Sequence, residues 1–261
     1  MGITRMKIED IVNKLKIVGI NVEKAESKEG LQGIKIRSLS ENITRLVIPE
    51  GIEFICGVKD TTAGILQNRV TSIKFPSTLK VIGDCAFKRF EALEEIEIPR
   101  NVHTVGKCAF GFCSRLHNIK GIEHLKIIKD VAFMGTDMLQ DVVLGSKLEE
   151  LGARAFSQSR IKSIDFNGCK ISKIGNSTFA HCYDIEKVTG ILEHTKSIGE
   201  FAFYNCIGLK RIESLTGLEV IEGHAFQYCR NLELEINSEK MEEIKIQGVD
   251  GVRSVRIKKY R

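Results

Sequence analysis

The sequence predicts a repeat solenoid with a parallel sheet along its concave side and short helical or irregular returns. Three observations predict it. A nine-residue phrase recurs as "IGDCAFKRF" at 82–90, "VGKCAFGFC" at 105–113 and "IGEFAFYNC" at 198–206. Its phenylalanine recurs as Phe87, Phe110, Phe133, Phe156, Phe179, Phe203 and Phe226, at separations of 23, 23, 23, 23, 24 and 23 residues. A fixed period of about 20–50 residues is the signature of stacked supersecondary units. Between the phrases, segments such as "LEEIEIP" at 93–99 alternate apolar and polar residues, the pattern of a strand buried on one face.

Each copy has two parts. The strands centre on Ile73, Ile96, Ile119, Val142, Ile164, Val188 and Ile212, one repeat apart. Pro49, Pro76 and Pro99 follow three of the predicted strands and end them, because proline has no N–H to give to a ladder. The stretch around the phenylalanine is too short for an ordinary helix of about 10–14 residues, so a single helical turn or an irregular arc is expected. Gly83, Gly106, Gly152, Gly175 and Gly199 follow an aliphatic residue where the chain leaves the sheet, and their expected role is a permissive backbone. The residue before the phenylalanine is small: alanine in six copies and Thr178 in the seventh. One such unit cannot bury its own apolar face. Successive coils must therefore stack, with Ile82, Phe87, Leu93, Ile96 and Ile98 inward and each phenylalanine on the one before it.

The phrase "IGxxAFxxCxxLxxIxIP", written here as "IGDCAFKRFEALEEIEIP", resembles the BspA-like class of leucine-rich repeats across residues 43–236. The resemblance implies a curved solenoid of the leucine-rich-repeat type, serving as a surface or secreted binding module. Against a secreted location, Glu9 and Asp10 interrupt the N-terminal stretch where a signal peptide needs an apolar core, so a cytoplasmic protein is expected. No run of 18 apolar residues occurs, and no membrane association is expected.

A solenoid's ends expose core and open strands, and both termini read as caps. In residues 1–42, Ile8, Ile11, Val12 and Leu15 share one helical face, which predicts an amphipathic helix followed by a strand. The copy at 49–70 is degenerate and its return is lengthened. Residues 237–261 predict a β cap: "MEEIKI" and "VRSVRI" read as consecutive strands pairing antiparallel, with the Asp250-Gly251 turn between them. Its tail, "SVRIKKYR", is basic.

The net charge of +5 is spread over 39 basic and 34 acidic residues, so it is no polycationic surface. The eight cysteines include no CxxC pair, which argues against common zinc sites. Cys113, Cys182, Cys206 and Cys229 share the third position after the phenylalanine; Cys85 and Cys108 share the second position before it. Stacking makes a Cys182–Cys206 or Cys206–Cys229 disulfide geometrically conceivable, but Phe90, Thr136 and Ser159 in the same column favour reduced residues that fill the interior. The six histidines are scattered, and no phosphate-binding glycine motif appears. No catalytic residue, metal ligand or cofactor is therefore assigned.

The remaining surface is the outer face of the strands. One column runs Val47, Lys74, Glu97, Lys120, Val143, Asp165, Thr189 and Glu213; its neighbour runs Arg45, Ser72, Glu95, Asn118, Asp141, Ser163, Lys187 and Arg211. These positions vary while the core positions repeat, mix both signs and hold no aromatic side chain. They suit a protein partner better than stacked bases or sugars. The expected activity is that of a monomeric, non-enzymatic protein-interaction module. Arg45, Lys74, Glu97, Lys120, Asp141, Asp165, Lys187, Arg211 and Glu213 are its candidate partner-binding residues. The alternative is an anion or nucleic-acid binder using the basic tail and the Lys and Arg positions.

Overall fold

The structure, a computed structural model, describes residues 6–58, 69–190, 194–213, 215–237, 245–246 and 249–258. The extended return of the degenerate 49–70 copy falls mostly outside these residues. Helix α1 (Ile8–Ile17) buries Ile11, Val12 and Leu15 and leaves its polar face in solvent. Gly19, at φ +83°, ends it. Strands β1 (Ile20–Glu26) and β2 (Gln32–Leu39) then pair antiparallel, and β2 continues in parallel onto Phe54–Cys56. The predicted helix is thus joined by a hairpin, whose second strand begins one of the solenoid's sheets.

Each coil carries two short strands rather than one. On the first face lie the predicted segments: Arg45–Val47, Ser72–Lys74, Glu95–Glu97 and Asn118–Lys120 form one parallel sheet. Asp141–Val143, Ser163–Asp165, Lys187–Thr189, Arg211–Ile212, Glu233–Asn237 and Ser254–Lys258 form another. The second face is built from the aliphatic residues at the start of each phrase, including Val81–Ile82, Thr104–Val105, Ile127–Ile128 and Glu150–Leu151, all parallel. Their two-residue length hides them from any periodicity test.

The third side is the arc around the phenylalanine. It is neither helix nor strand, yet its backbone bonds coil to coil. Cys85, Phe87 and Arg89 donate their N–H groups to the carbonyls of Lys107, Ala109 and Gly111 at 2.9, 2.8 and 2.8 Å, and Cys108, Phe110 and Phe112 do the same one coil on. The chain bends because residues two before and two after the phenylalanine are left-handed, as at Cys85 (φ +53°) and Arg89 (φ +59°). That conformation costs a non-glycine residue about 1–2 kcal/mol, which the intercoil hydrogen bonds offset. The glycines after the aliphatic residue have a different task from the one their sequence position suggests. Gly106 has no positive φ; a Cβ there would lie 2.5 Å from the backbone carbon of Gly83. Space between coils, not backbone freedom, requires it.

The phenylalanines form one column through the core. Phe87, Phe110, Phe133, Phe156, Phe179, Phe203 and Phe226 are all fully buried, and successive rings stack at 5.2–5.8 Å with interplanar angles of 4–19°. Ile82, Leu93, Ile96 and Ile98 are buried around them, as expected. At the position three after the phenylalanine, Phe90 fills the first coil with a ring, and the later coils hold small hydrogen-bond donors. Cys113, Cys182, Cys206 and Cys229 point their thiols at the carbonyls of Phe87, Phe156, Phe179 and Phe203, at 3.0–3.2 Å, and Ser159 reaches that of Phe133 at 3.2 Å. None of the eight cysteines is in a disulfide.

The C-terminal expectation of antiparallel hairpins is overturned. Glu233–Asn237 pairs in parallel with Ser254–Lys258, in the register Glu233↔Ser254 to Asn237↔Lys258. "MEEIKI" and "VRSVRI" are not neighbours in one ladder: Lys245–Ile246 joins the second face beside Val220–Ile221, while Ser254–Lys258 joins the first. The crossover is therefore a full coil, long enough for parallel pairing. The Asp250-Gly251 turn, with Gly251 at φ +85°, feeds this last strand.

Candidate binding surfaces of the solenoid

Register within each of the two sheets of the first face aligns most of the predicted residues. Arg45 lies beside Ser72, Glu97 beside Lys120, Asp141 beside Ser163, Asp165 beside Thr189, and Lys187 beside Arg211. Lys74 lies beside Val47. Arg45, Lys74, Glu97, Lys120, Asp141, Lys187 and Arg211 are exposed; Asp165 and Glu213 are half-buried. Four of them are tied into the surface itself. Asp141 accepts a hydrogen bond from the Ser163 hydroxyl, Asp165 accepts one from the Asn167 N–H at 2.8 Å, and Lys187 pairs with Glu213 at 3.2 Å. Asp165 thus caps a turn as well as facing outward. At the C-terminal end the face holds a groove of about 570 Å³, lined by Lys210, Arg211, Glu213, Glu233, Glu235 and Arg256 among others. In the basic tail, Arg253 is paired with Glu233 at 3.3 Å and Arg256 stands in register with Glu235. Residues 259–261 of that tail lie outside the described residues.

A second surface was missed in the sequence because its residues are adjacent only after coiling. On the arcs, rings from three coils form a strip. His181 meets Tyr183 at 5.8 Å and Tyr204 at 5.2 Å; Phe201 meets Tyr204 at 5.4 Å and stacks on His224 at 5.1 Å; Tyr204 meets Tyr228 at 5.4 Å. Tyr183 and Tyr228 are exposed by 41% and 42%. The left-handed positions direct these side chains outward: His181, Phe201, His224 and Tyr228 all have positive φ. The signal was available in the repeat alignment. Two before the phenylalanine, the column changes from Cys85, Cys108 and Val131 to Phe201 and His224; two after, it ends in His181, Asn205 and Tyr228. Beside the strip a depression of about 330 Å³ is lined by Asp137, Gln158, Arg160, His181 and Tyr183. Burial there pushes the Asp137 carboxyl above its ordinary value, partly countered by Arg160. Arg160 is itself paired with Asp184 at 2.6 Å.

Among the described residues, no group of three or more His, Cys, Asp and Glu side chains is placed to hold a metal ion. Two of the six histidines share the aromatic strip; the hydrogen-bond partners of His181 are the Tyr183 hydroxyl at 3.1 Å and the Asn205 amide at 3.4 Å. Among the described residues, no helix is long and apolar enough to cross a membrane.

The family model for the BspA type leucine-rich repeat region matches residues 66–186 and 172–248, in six copies. The chain belongs to the BspA-type leucine-rich-repeat family. A search of curated proteins returns no match. Among solved structures, a leucine-rich repeat protein from Bacteroides ovatus is similar at 24% identity and a TM-score of 0.59, covering 85% of this chain and 55% of its own. Another leucine-rich repeat protein, from Eubacterium ventriosum, is similar at 16% identity and a TM-score of 0.53, covering 92% of this chain and 71% of its own. The BspA-type chain thus spans about half the length of the first of these. At such identities the likeness is one of fold. It agrees with the parallel coils, and members of this repeat class are commonly protein-interaction modules.

Proposed function

We propose that the protein is a non-catalytic module that binds another protein through the outer side of its first face. One observation carries this reading: core positions keep the same residue types coil after coil, whereas the exposed columns through Arg45, Lys74, Glu97, Lys120, Asp141, Asp165, Lys187, Arg211 and Glu213 vary and mix both signs. A scaffold held constant while its surface is varied suits recognition of one partner, and mixed charge sets register and association rate. The aromatic strip on the arcs favours a second reading in which that side makes the contact. Exposed tyrosines are frequent anchors of protein interfaces, where truncation of one ring costs about 2 kcal/mol or more.

The test compares three proteins bearing the same photo-crosslinkable tag in an extract of the source cells: wild type, Lys187→Glu/Arg211→Glu, and Tyr183→Ser/Tyr228→Ser. A protein captured by wild type and lost from the charge-reversed variant supports the first-face reading. Loss only from the tyrosine variant moves the site to the arcs. Capture of nothing specific by wild type, or capture unaffected by both pairs, refutes the placement. Lys187 and Arg211 are register partners, so the variant sets two glutamates opposite each other; a thermal melt of each variant separates loss of binding from loss of folding.

A further inference from the structure

Two cysteines stand apart from the buried column. Cys85 and Cys108 occupy the same arc position in adjacent coils, with nearly the same left-handed backbone, φ +53° and +56°. The arc ladder brackets them: Cys85 N–H bonds to Lys107 O at 2.9 Å and Phe87 N–H to Ala109 O at 2.8 Å. They are therefore side by side in register, at the spacing of about 4.8 Å between hydrogen-bonded extended chains. That lies inside the Cα separation of about 4.4–6.8 Å that a disulfide spans. With nearly equal φ, their Cα–Cβ bonds point the same way, which sets the Cys85 side chain beside that of Cys108. Cys108 Sγ leans over Gly111, where a Cβ would come within 2.8 Å of it, so the glycine makes room for the sulfur. Both side chains are partly exposed, whereas Cys113, Cys169, Cys182, Cys206 and Cys229 are buried.

We propose that Cys85 and Cys108 are a surface dithiol that small-molecule disulfides oxidise to an intercoil disulfide, stitching two neighbouring coils together. The exchange balances with the disulfide as oxidant. The Cys85 thiolate, its proton released to solvent, attacks one sulfur of RSSR; the Cys85–SR bond forms and RS⁻ leaves. Cys108 then gives up its proton, attacks the Cys85 sulfur and expels the second RS⁻. Two electrons pass from the protein to RSSR, and both leaving thiolates take up a proton to give two RSH. The exchange balances equally with Cys108 attacking first: the neighbouring Cys85 thiol and burial raise the Cys108 thiol, and the nearby Lys88 ammonium works the other way, favouring its thiolate. The molecule carries its own comparison. Cys206 and Cys229 also occupy one position in adjacent coils, but both are sealed in the core, with their thiols turned to the carbonyls of Phe179 and Phe203.

The full-length protein is reduced, freed of reductant and exposed to excess oxidised glutathione near pH 8, then acid-quenched, denatured and digested with trypsin. The expected result is loss of two of the eight thiols, no retained glutathione, and a cross-link between the peptides 81–88 and 108–115. Fragmentation must place the bond on Cys108 rather than Cys113. Cys108→Ser should instead retain one glutathione on Cys85, and Cys85→Ser should form no cross-link. Eight free thiols overturn the proposal. So does glutathione held on Cys85 of the wild type without a cross-link, an adduct on Cys56 with Cys85 and Cys108 untouched, or a Cys206–Cys229 bond formed in the native protein.

Discussion

Removing one ring from the middle of the phenylalanine column tests the architecture most directly. Phe156 is fully buried and sandwiched, 5.4 Å from Phe133 at 9° and 5.8 Å from Phe179 at 4°. Burying a phenylalanine side chain contributes about 1.5–3 kcal/mol. Each of the two ring contacts adds about 0.5–1.5 kcal/mol. The arc backbone limits collapse around the hole, because Phe156 N–H is bonded to Thr178 O at 2.9 Å and Phe133 N–H to Ala155 O at 2.8 Å. Phe156→Ala should therefore cost about 3–5 kcal/mol. With a urea slope near the upper end for small proteins, about 3 kcal/mol per M, the midpoint should fall by about 1 M or more. Equilibrium urea titration followed by far-ultraviolet circular dichroism measures it. Phe156→Leu, which keeps bulk but not the ring, should lose about half as much. A midpoint unchanged in Phe156→Ala would refute the claim that stacked rings hold the coils together.

Two further outcomes follow from the same geometry. Gly106→Ala should destabilise by about 1–3 kcal/mol by overpacking, since its Cβ would collide with the Gly83 and Asp84 backbone, whereas Gly223→Ala, which meets nothing within 4 Å, should change stability by no more than about 0.5 kcal/mol; equal melting temperatures for the two would contradict the spacing argument. Alkali should unfold the protein. Burial pushes the Cys113, Cys169 and Cys182 thiols from 9.0 up to about 12. Below pH 9 these thiols are neutral in both states, but from pH 9 to about 12 the unfolded chain releases protons that the folded chain keeps. Stability therefore falls as pH rises through that window. Urea midpoints across it should decline less steeply in Cys182→Ser, and an identical slope would exclude that thiol as a contributor.

The legible part of this protein is whatever recurs. A phenylalanine every coil, an alternating strand and an amphipathic start were enough to place Phe87, Ile96 and Ile11 inward, because a stacked coil must bury the same positions each time. The sequence likewise put Lys187 and Arg211 on one outer column, where they stand in register. Length misled where an element was too short to show a period. Val81–Ile82 is a two-residue strand, and "MEEIKI" and "VRSVRI" looked like one hairpin until their strands joined different faces.

Sequence by itself determined the solenoid, its period and its core, since these rest on local pattern repeated in register. Only tertiary structure decided that the coil has three hydrogen-bonded sides, that Gly106 is needed for space, and that His181, Tyr204 and Tyr228 meet in one strip. The reason is physical: contacts between coils join residues some 23 positions apart, and left-handed arc residues aim side chains in directions that no strand or helix period encodes.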